Sequence, residues 1–221
     1  MTANVRKRLE QWVAEGRRVV HEADAKALLR LAGVPVPARS PRAGRLAVKL
    51  ASDKYPHKSE HGLVHLDVAR RDVAKLSRQL QRKDPDGSVL VERMVEGGVA
   101  EWIVGCKRDA TFGPVVVTGP GGVLVELLDR AEVRLAPTSL KTAKAVLGNG
   151  PGAKLLNGAR GRPPGDRDAL ARLIVAASKF FARHQDLIEE IDLNPVIVLP
   201  KGQGVVAADA MLVLRRKETG K

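Results

Sequence analysis

Apolar residues recur at helical spacing in three places along the chain. Ala25, Leu28, Leu29 and Ala32 share one face, and Gly33 followed by Val34-Pro35 supplies a stop. Val73, Leu76 and Leu80 mark a second helix at about 70–81, closed by the turn Asp84-Pro85-Asp86-Gly87. The third and most regular runs from an N-cap at Asp166 through Leu170, Leu173, Ile174, Ala177 and Phe181. Short apolar or alternating runs read as strands at 45–51, 64–68, 88–93, 102–106, 114–118, 123–127 and 132–135. Helices and strands interleave without an internal repeat, so the expected class is α/β or α+β.

Near the C-terminus, Val196-Ile197-Val198-Leu199 and the run from Val205 to Leu214 flank Pro200-Lys201-Gly202-Gln203-Gly204. If the two runs form a hairpin folded about residues 201 and 202, Asn194 and Asp209 fall opposite or nearly opposite each other. Asp209 is the lone carboxylate of an apolar run, and burying an ionised carboxylate is costly unless it is compensated. Mg2+, a hard ion that takes oxygen ligands and holds nucleotide phosphates, would compensate it. A salt bridge to an arginine would do so too, and the hairpin alone leaves both readings open.

Composition narrows the class. The 221 residues are 44% hydrophobic, enough for one chain of two lobes with a real core. No stretch approaches the roughly 18 apolar residues of a membrane span, so a cytoplasmic protein without membrane contact is expected. The single cysteine, Cys106, has no partner for an internal disulfide or a CxxC zinc site. The formal charge of +13 invites a nucleic-acid reading. Distribution argues against it: basic residues are scattered among acids, and aromatic residues, the platforms for base stacking, are 3% of the chain. Nucleotides, phosphate and coenzyme A satisfy the same charge.

No P-loop pattern is present. Residues 148–153 (Gly-Asn-Gly-Pro-Gly-Ala) match GxGxxA formally, but they follow a helical segment and contain Pro151, so a loop is expected and not a dinucleotide fingerprint. The glycines of Phe112-Gly113-Pro114 and Gly119-Pro120-Gly121-Gly122 serve either turns or close approach to a ligand. His57, His61 and His65 stand four apart, but Pro56 and Gly62 break any helix. Residues 52–60 read as a polar loop carrying His57, either an ordinary surface residue or, through its neutral imidazole, a nucleophile with Lys58 beside it.

Several segments resemble, in order and spacing, the ATP-grasp β subunit of the ADP-forming acyl-CoA synthetases, relatives of succinyl-CoA synthetase. They are Val48-Lys49-Leu50, Pro56-His57-Lys58-Ser59-Glu60-His61-Gly62, Val91-Glu92-Arg93-Met94-Val95 and Glu101-Trp102-Ile103-Val104-Gly105. Phe112 to Val116, Gly119 to Gly122 with Glu126, Arg134 to Pro137, Leu155 to Gly161 and Glu190 to Pro195 continue it, so that it spans about Glu22 to Leu214.

The resemblance implies an ATP-grasp fold, α+β in class, with two lobes holding ATP or ADP between them. The smaller lobe would be 18–95; the larger, carrying the metal site, would be 1–17 with 96–221. It assigns Lys49 to the nucleotide phosphates, Glu92, Arg93, Met94 and Val95 to an inter-lobe hinge whose backbone reads the adenine edge, and Glu101 to the ribose. Asn194 and Asp209 match the family's Mg2+ ligands, with Asp192 assisting, and His57 matches a loop histidine that carries the phosphoryl group. The implied partner is a CoA-binding α subunit, in an α2β2 heterotetramer, because no segment is left for CoA binding and acyl activation. Leu63 stands where the family usually has a second glycine, and Met211 where an arginine commonly follows the Asp-Ala pair. Another ATP-grasp carboxylate ligase, or a regulatory subunit that binds nucleotide without catalysis, would share most of these features.

Overall fold

The computed structural model describes residues 2–39, 43–52, 54–55, 58, 61–122, 131–150, 152–158, 161 and 163–216. The chain divides into two compact units, one of residues 1–36 with 97–221 and one of residues 37–96. His57, Glu126 and the expected strand at 123–127 lie outside the described residues.

The smaller unit is a three-stranded antiparallel sheet in the order β3-β2-β4, where β2 is Leu46–Ala51, β3 Val64–Val68 and β4 Ser88–Arg93. A 3-10 turn at Arg70–Asp72 leads into a helix, Val73–Lys83. Its core gathers Leu46, Val48, Leu50, Leu63, Val68 and Leu80. Leu63, the residue standing in a glycine's place, is 1% exposed there and its amide donates to the Lys58 carbonyl. A leucine at 63 thus serves the core of this unit.

The larger unit has an antiparallel sheet in the order β1-β10-β8-β5-β6-β7, with β9 also paired to β8. These strands are β1 Val19–Val20, β5 Ala100–Asp109, β6 Gly113–Pro120, β7 Glu132–Leu135, β8 Ile188–Val198, β9 Val205–Ala207 and β10 Met211–Leu214. The helices here are α1 Thr2–Ala14, α2 Glu22–Leu31, α4 Leu140–Asn149, α5 Ala153–Leu156 and α6 Arg167–His184, the helix of the smaller unit being α3. Period-two alternation decides the sheet's faces. Trp102, Val104, Cys106, Ile191, Leu193, Val196 and Val198 point into a core shared with Leu170, Leu173, Ile174, Ala177 and Phe181 of α6. Glu101, Lys107, Glu190 and Asn194 are exposed on the other face.

The boundary differs from the expected one at residue 18. Val19 and Val20 pair with Val213 and Leu212, and Leu28 and Leu29 of α2 are buried in the larger core, so residues 18–36 belong to the larger unit. The physical reason is that a two-residue strand gains its hydrogen bonds only as an addition to β10. Among the described residues, no helix is long and apolar enough to cross a membrane.

Candidate functional site

The β8–β9 hairpin is built by its turn. Gly202 and Gly204 both adopt positive φ, 86° and 90°, where a side chain would be strained. The Leu199 amide donates to the Gly204 carbonyl at 3.1 Å and the Gln203 amide to the Pro200 carbonyl at 2.9 Å. Asp166 fastens this turn to α6. One carboxylate oxygen caps the helix by accepting the Ala169 amide at 3.0 Å, while the other accepts the amides of Gly202 and Gly204 at 3.0 and 2.9 Å. Burial acts to raise the pKa of this carboxyl, but the amides of Ala169, Gly204 and Gly202 outweigh it and hold the group below the ordinary carboxylate range.

Register then fixes what faces what. Val196 pairs with Ala207 on β9, and Asp192 pairs with Met211 on β10, at the same register offset. Residues 208–210 interrupt the regular strand between them, although the Ala208 amide still donates to the Pro195 carbonyl at 2.9 Å. The same offset carried across residues 193–195 and 208–210 would bring Asn194 opposite Asp209. Asn194 is exposed and Asp209 half-buried, with Asp209 Oδ1 accepting the Ala210 amide at 2.8 Å. The apolar run thus opens at its carboxylate. Half-buried Asp192 lies two residues from Asn194 on the same face, opposite Gly105 of β5.

This donor set suits a hard divalent ion. Asn194 and Asp209 each carry a side-chain oxygen, and Mg2+ is ordinarily held by one or two carboxylates plus substrate phosphates and water, without an all-protein cage. Among the described residues no group of three or more His, Cys, Asp or Glu could hold a metal ion.

In the smaller unit Lys49 occupies the central strand β2, and only 6% of it is exposed. Ala47 pairs with Glu92 and Lys49 with Leu90, so Lys49 and Glu92 are diagonal neighbours, Nζ to Oε2 3.5 Å. Glu92 is 1% exposed; its side chain is turned to the lysine within the sheet. The amides of Arg93 and Met94 donate to the carbonyls of Ala38 and Arg45 at 2.9 and 3.0 Å. Arg93 is exposed, and Met94 and Val95 are half-buried.

Glu101 lies exposed on β5 opposite Ile197. The Gly121 amide donates to its carbonyl at 2.8 Å, and a Cβ at Gly121 would stand 3.1 Å from the backbone of Glu101 and Trp102. A Cβ at Gly122, where φ is +65°, would meet the Glu101 carboxylate at 2.8 Å. Close approach of the glycine turn to β5 accounts for these two glycines. The expected loop is shorter than 148–153: Gly148 and Asn149 end α4, Ala153 opens α5, Pro151 lies outside the described residues, and a Cβ at Gly152 would collide with Pro120 at 2.5 Å.

The three histidines do not form a stripe. His65 lies in β3, His61 stacks obliquely on Tyr55 at 5.2 Å, and His57 is outside the described residues. Before it in the chain, Ser52 Oγ and Lys54 Nζ both bond the buried carboxylate of Asp84, the lysine at 2.8 Å. Hydrogen bonds from Lys54 and Ser52 hold the Asp84 carboxyl below its ordinary pKa. Cys106 is buried and its thiol is pushed up to about 12, so it stays protonated and is no nucleophile.

One pair escapes a reading of the sequence by apolar period. Glu22 and Lys26 stand i, i+4 on the buried face of α2, with Nζ 2.6 Å from Oε1, and Lys26 also donates to the Ala208 carbonyl at 2.7 Å. Their position beside Ala25, Leu28 and Leu29 was the available signal.

Two antiparallel sheets packed with helices make an α+β architecture, with buried Lys49 in the smaller unit and Asn194 and Asp209 in the larger. A model of the ATP-grasp domain matches residues 11–214. The β subunit of acetate–CoA ligase (ADP-forming) II from Pyrococcus furiosus is 31% identical, over 97% of this chain and 100% of its own length. Acetate–CoA ligase (ADP-forming) I from Archaeoglobus fulgidus is 38% identical over 73% of this chain, which spans only 24% of that longer protein. Among solved structures, the acetyl-coenzyme A synthetase 1 of Ca. Korarchaeum cryptofilum superposes with a TM-score of 0.83 at 32% identity, covering 96% of this chain and 100% of that one. That structure holds coenzyme A and Mg-AMPPCP, with its phosphohistidine segment pointing towards the nucleotide-binding site. The chain belongs to the ATP-grasp family, in the branch of the β subunits of ADP-forming acyl-CoA synthetases.

Proposed function

We propose that this chain is the nucleotide-binding β subunit of an ADP-forming acyl-CoA synthetase, working in the cytoplasm with a CoA-binding α subunit in an α2β2 assembly. The overall reaction is acyl-CoA + ADP + phosphate = carboxylic acid + CoA + ATP. The observation that supports the reading is the shared register of β9 and β10 along β8, which brackets Asn194 and Asp209, in a chain whose relatives are β subunits of that enzyme class.

Each residue then has a physical task. Asn194 and Asp209 would hold Mg2+, with Asp192 beside them; when bound, that ion supplies positive charge to the nucleotide phosphates. Lys49, already oriented by Glu92 at 3.5 Å, places an ammonium at the phosphates. The amides of Arg93 and Met94 are committed to Ala38 and Arg45. An adenine edge therefore meets the Val95 amide or the carbonyls of Glu92 to Val95, and Glu101 meets the ribose. His57 accepts a phosphoryl group generated on the partner through a phosphorus–nitrogen bond, and passes it to ADP as that bond breaks. Such a bond keeps a high transfer potential, so the transfer is reversible.

The test is covalent. Incubated with gamma-labelled ATP and Mg2+, the full chain should acquire label that is acid-labile and base-stable, and His57→Ala should acquire none. Label retained by His57→Ala, or stable in acid, would refute the phosphohistidine step. Acyl-CoA formation by the purified chain without an α subunit would contradict the division of labour.

A further inference from the structure

The mechanism leaves one buried charge pair unused. Glu22 and Lys26 have 0% and 3% of their side chains exposed, inside the larger core at the face of α2 that packs on β10. A buried ion pair contributes little to stability and can cost more than well-packed apolar residues of the same volume, so its presence asks for another account.

Its location supplies one. The strand interruption at 208–210 is pinned at three points: the Ala207 amide donates to the Pro35 carbonyl at 2.8 Å, the Ala208 amide to the Pro195 carbonyl at 2.9 Å, and the Ala208 carbonyl accepts from Lys26 Nζ at 2.7 Å. The third matters most for Asp209. The Ala208 carbonyl belongs to the planar peptide unit that ends at the Asp209 Cα, so holding its oxygen holds that plane and the position of the Asp209 Cα, and leaves φ of Asp209 as the rotation between the plane and the side chain. Glu22, at 2.6 Å, holds the ammonium in place from the helix side.

We propose that Lys26, braced by Glu22, is a positioning residue that sets Asp209 for its divalent ion; this rests on the reading of Asp209 as a metal ligand. Lys26 holds the backbone before the ligand, so its loss is expected to show in metal-dependent affinity.

The experiment replaces the pair together, Glu22→Gln with Lys26→Met, so that no lone charge is left buried. Binding of Mn2+ to the full chain with ADP is followed by electron paramagnetic resonance, and ADP affinity in EDTA by calorimetry. Affinity for Mn2+ in the presence of ADP should fall about 10- to 100-fold, the usual effect of losing a group that orients a metal ligand, while ADP affinity in EDTA stays at the wild-type value. Lys26→Arg, which keeps a cationic donor, should recover part of the loss. If the double variant does not fold, Glu22→Gln with Lys26→Gln is measured in its place, with the same fall expected. Unchanged Mn2+ affinity in a folded pair variant, while Asp209→Asn loses it, overturns the inference and leaves the metal assignment standing. Unchanged affinity in Asp209→Asn as well overturns both.

Discussion

Lys49 shows what one buried charge demands of its surroundings. An ammonium in the middle strand of a small sheet must be compensated, and Glu92, diagonal to it across the β2–β4 pair, supplies the opposite charge. Glu92→Ala should therefore destabilise the protein by about 3–5 kcal/mol, the range for leaving a buried partner uncompensated, and urea unfolding would measure it. A loss below about 1 kcal/mol would mean that the pair behaves as a solvent-screened one. At this scale the sequence is legible where a polar residue interrupts an apolar pattern, as at Asp209, while Lys49 is marked by the family resemblance. It is silent where the polar residue obeys a helical period, as at Glu22 and Lys26, because spacing marks the face and not the occupant. His57 rests on the family resemblance alone, since it lies outside the described residues.

Elements in this chain are held to one another by backbone groups caught on single side chains, and Asp166 is the clearest case. It accepts one amide of α6 and two of the 200–204 turn. Asp166→Ala should cost on the order of 2–3 kcal/mol, combining a lost N-cap with two orphaned amides. The pH dependence has a definite sign. The folded carboxyl lies below its ordinary value, so its stabilisation is fully present above the unfolded value near pH ~3.9 and is lost as pH falls through the folded one. Thermal melting between about pH 5 and 3 should therefore fall more steeply for the wild type than for Asp166→Asn. Equal slopes would contradict the account.

Helix α6, strand β4 and the hairpin register are legible in the sequence because cap, period and turn residues agree there. Helices α1 and α4 are harder to read. Val5, Leu9 and Trp12 of α1 do keep helical spacing, as do Ala143, Val146 and Leu147 of α4, but each stripe is short and offers few apolar matches. The run from Val205 to Leu214 reads as one strand, whereas the structure breaks it at 208–210. Hydropathy is blind to that break, where Ala208 bonds the Pro195 carbonyl through its amide and Lys26 through its own carbonyl.

At the scale of the whole molecule, the chain has two units with separate cores: Lys49 lies in the smaller, and Asn194, Asp209 and Glu101 lie in the larger. The charge of +13, which by itself suggests nucleic acid, is equally suited to a chain that handles phosphate groups. The central claim is that Asn194 and Asp209 hold the divalent ion through which ADP binds. Calorimetric titration of ADP with and without Mg2+, on the wild type, Asn194→Ala and Asp209→Asn, tests it most directly. The account predicts that Mg2+ strengthens ADP binding to the wild type, and that each variant loses this gain while keeping its melting temperature. A full Mg2+-dependent gain in both variants would contradict it.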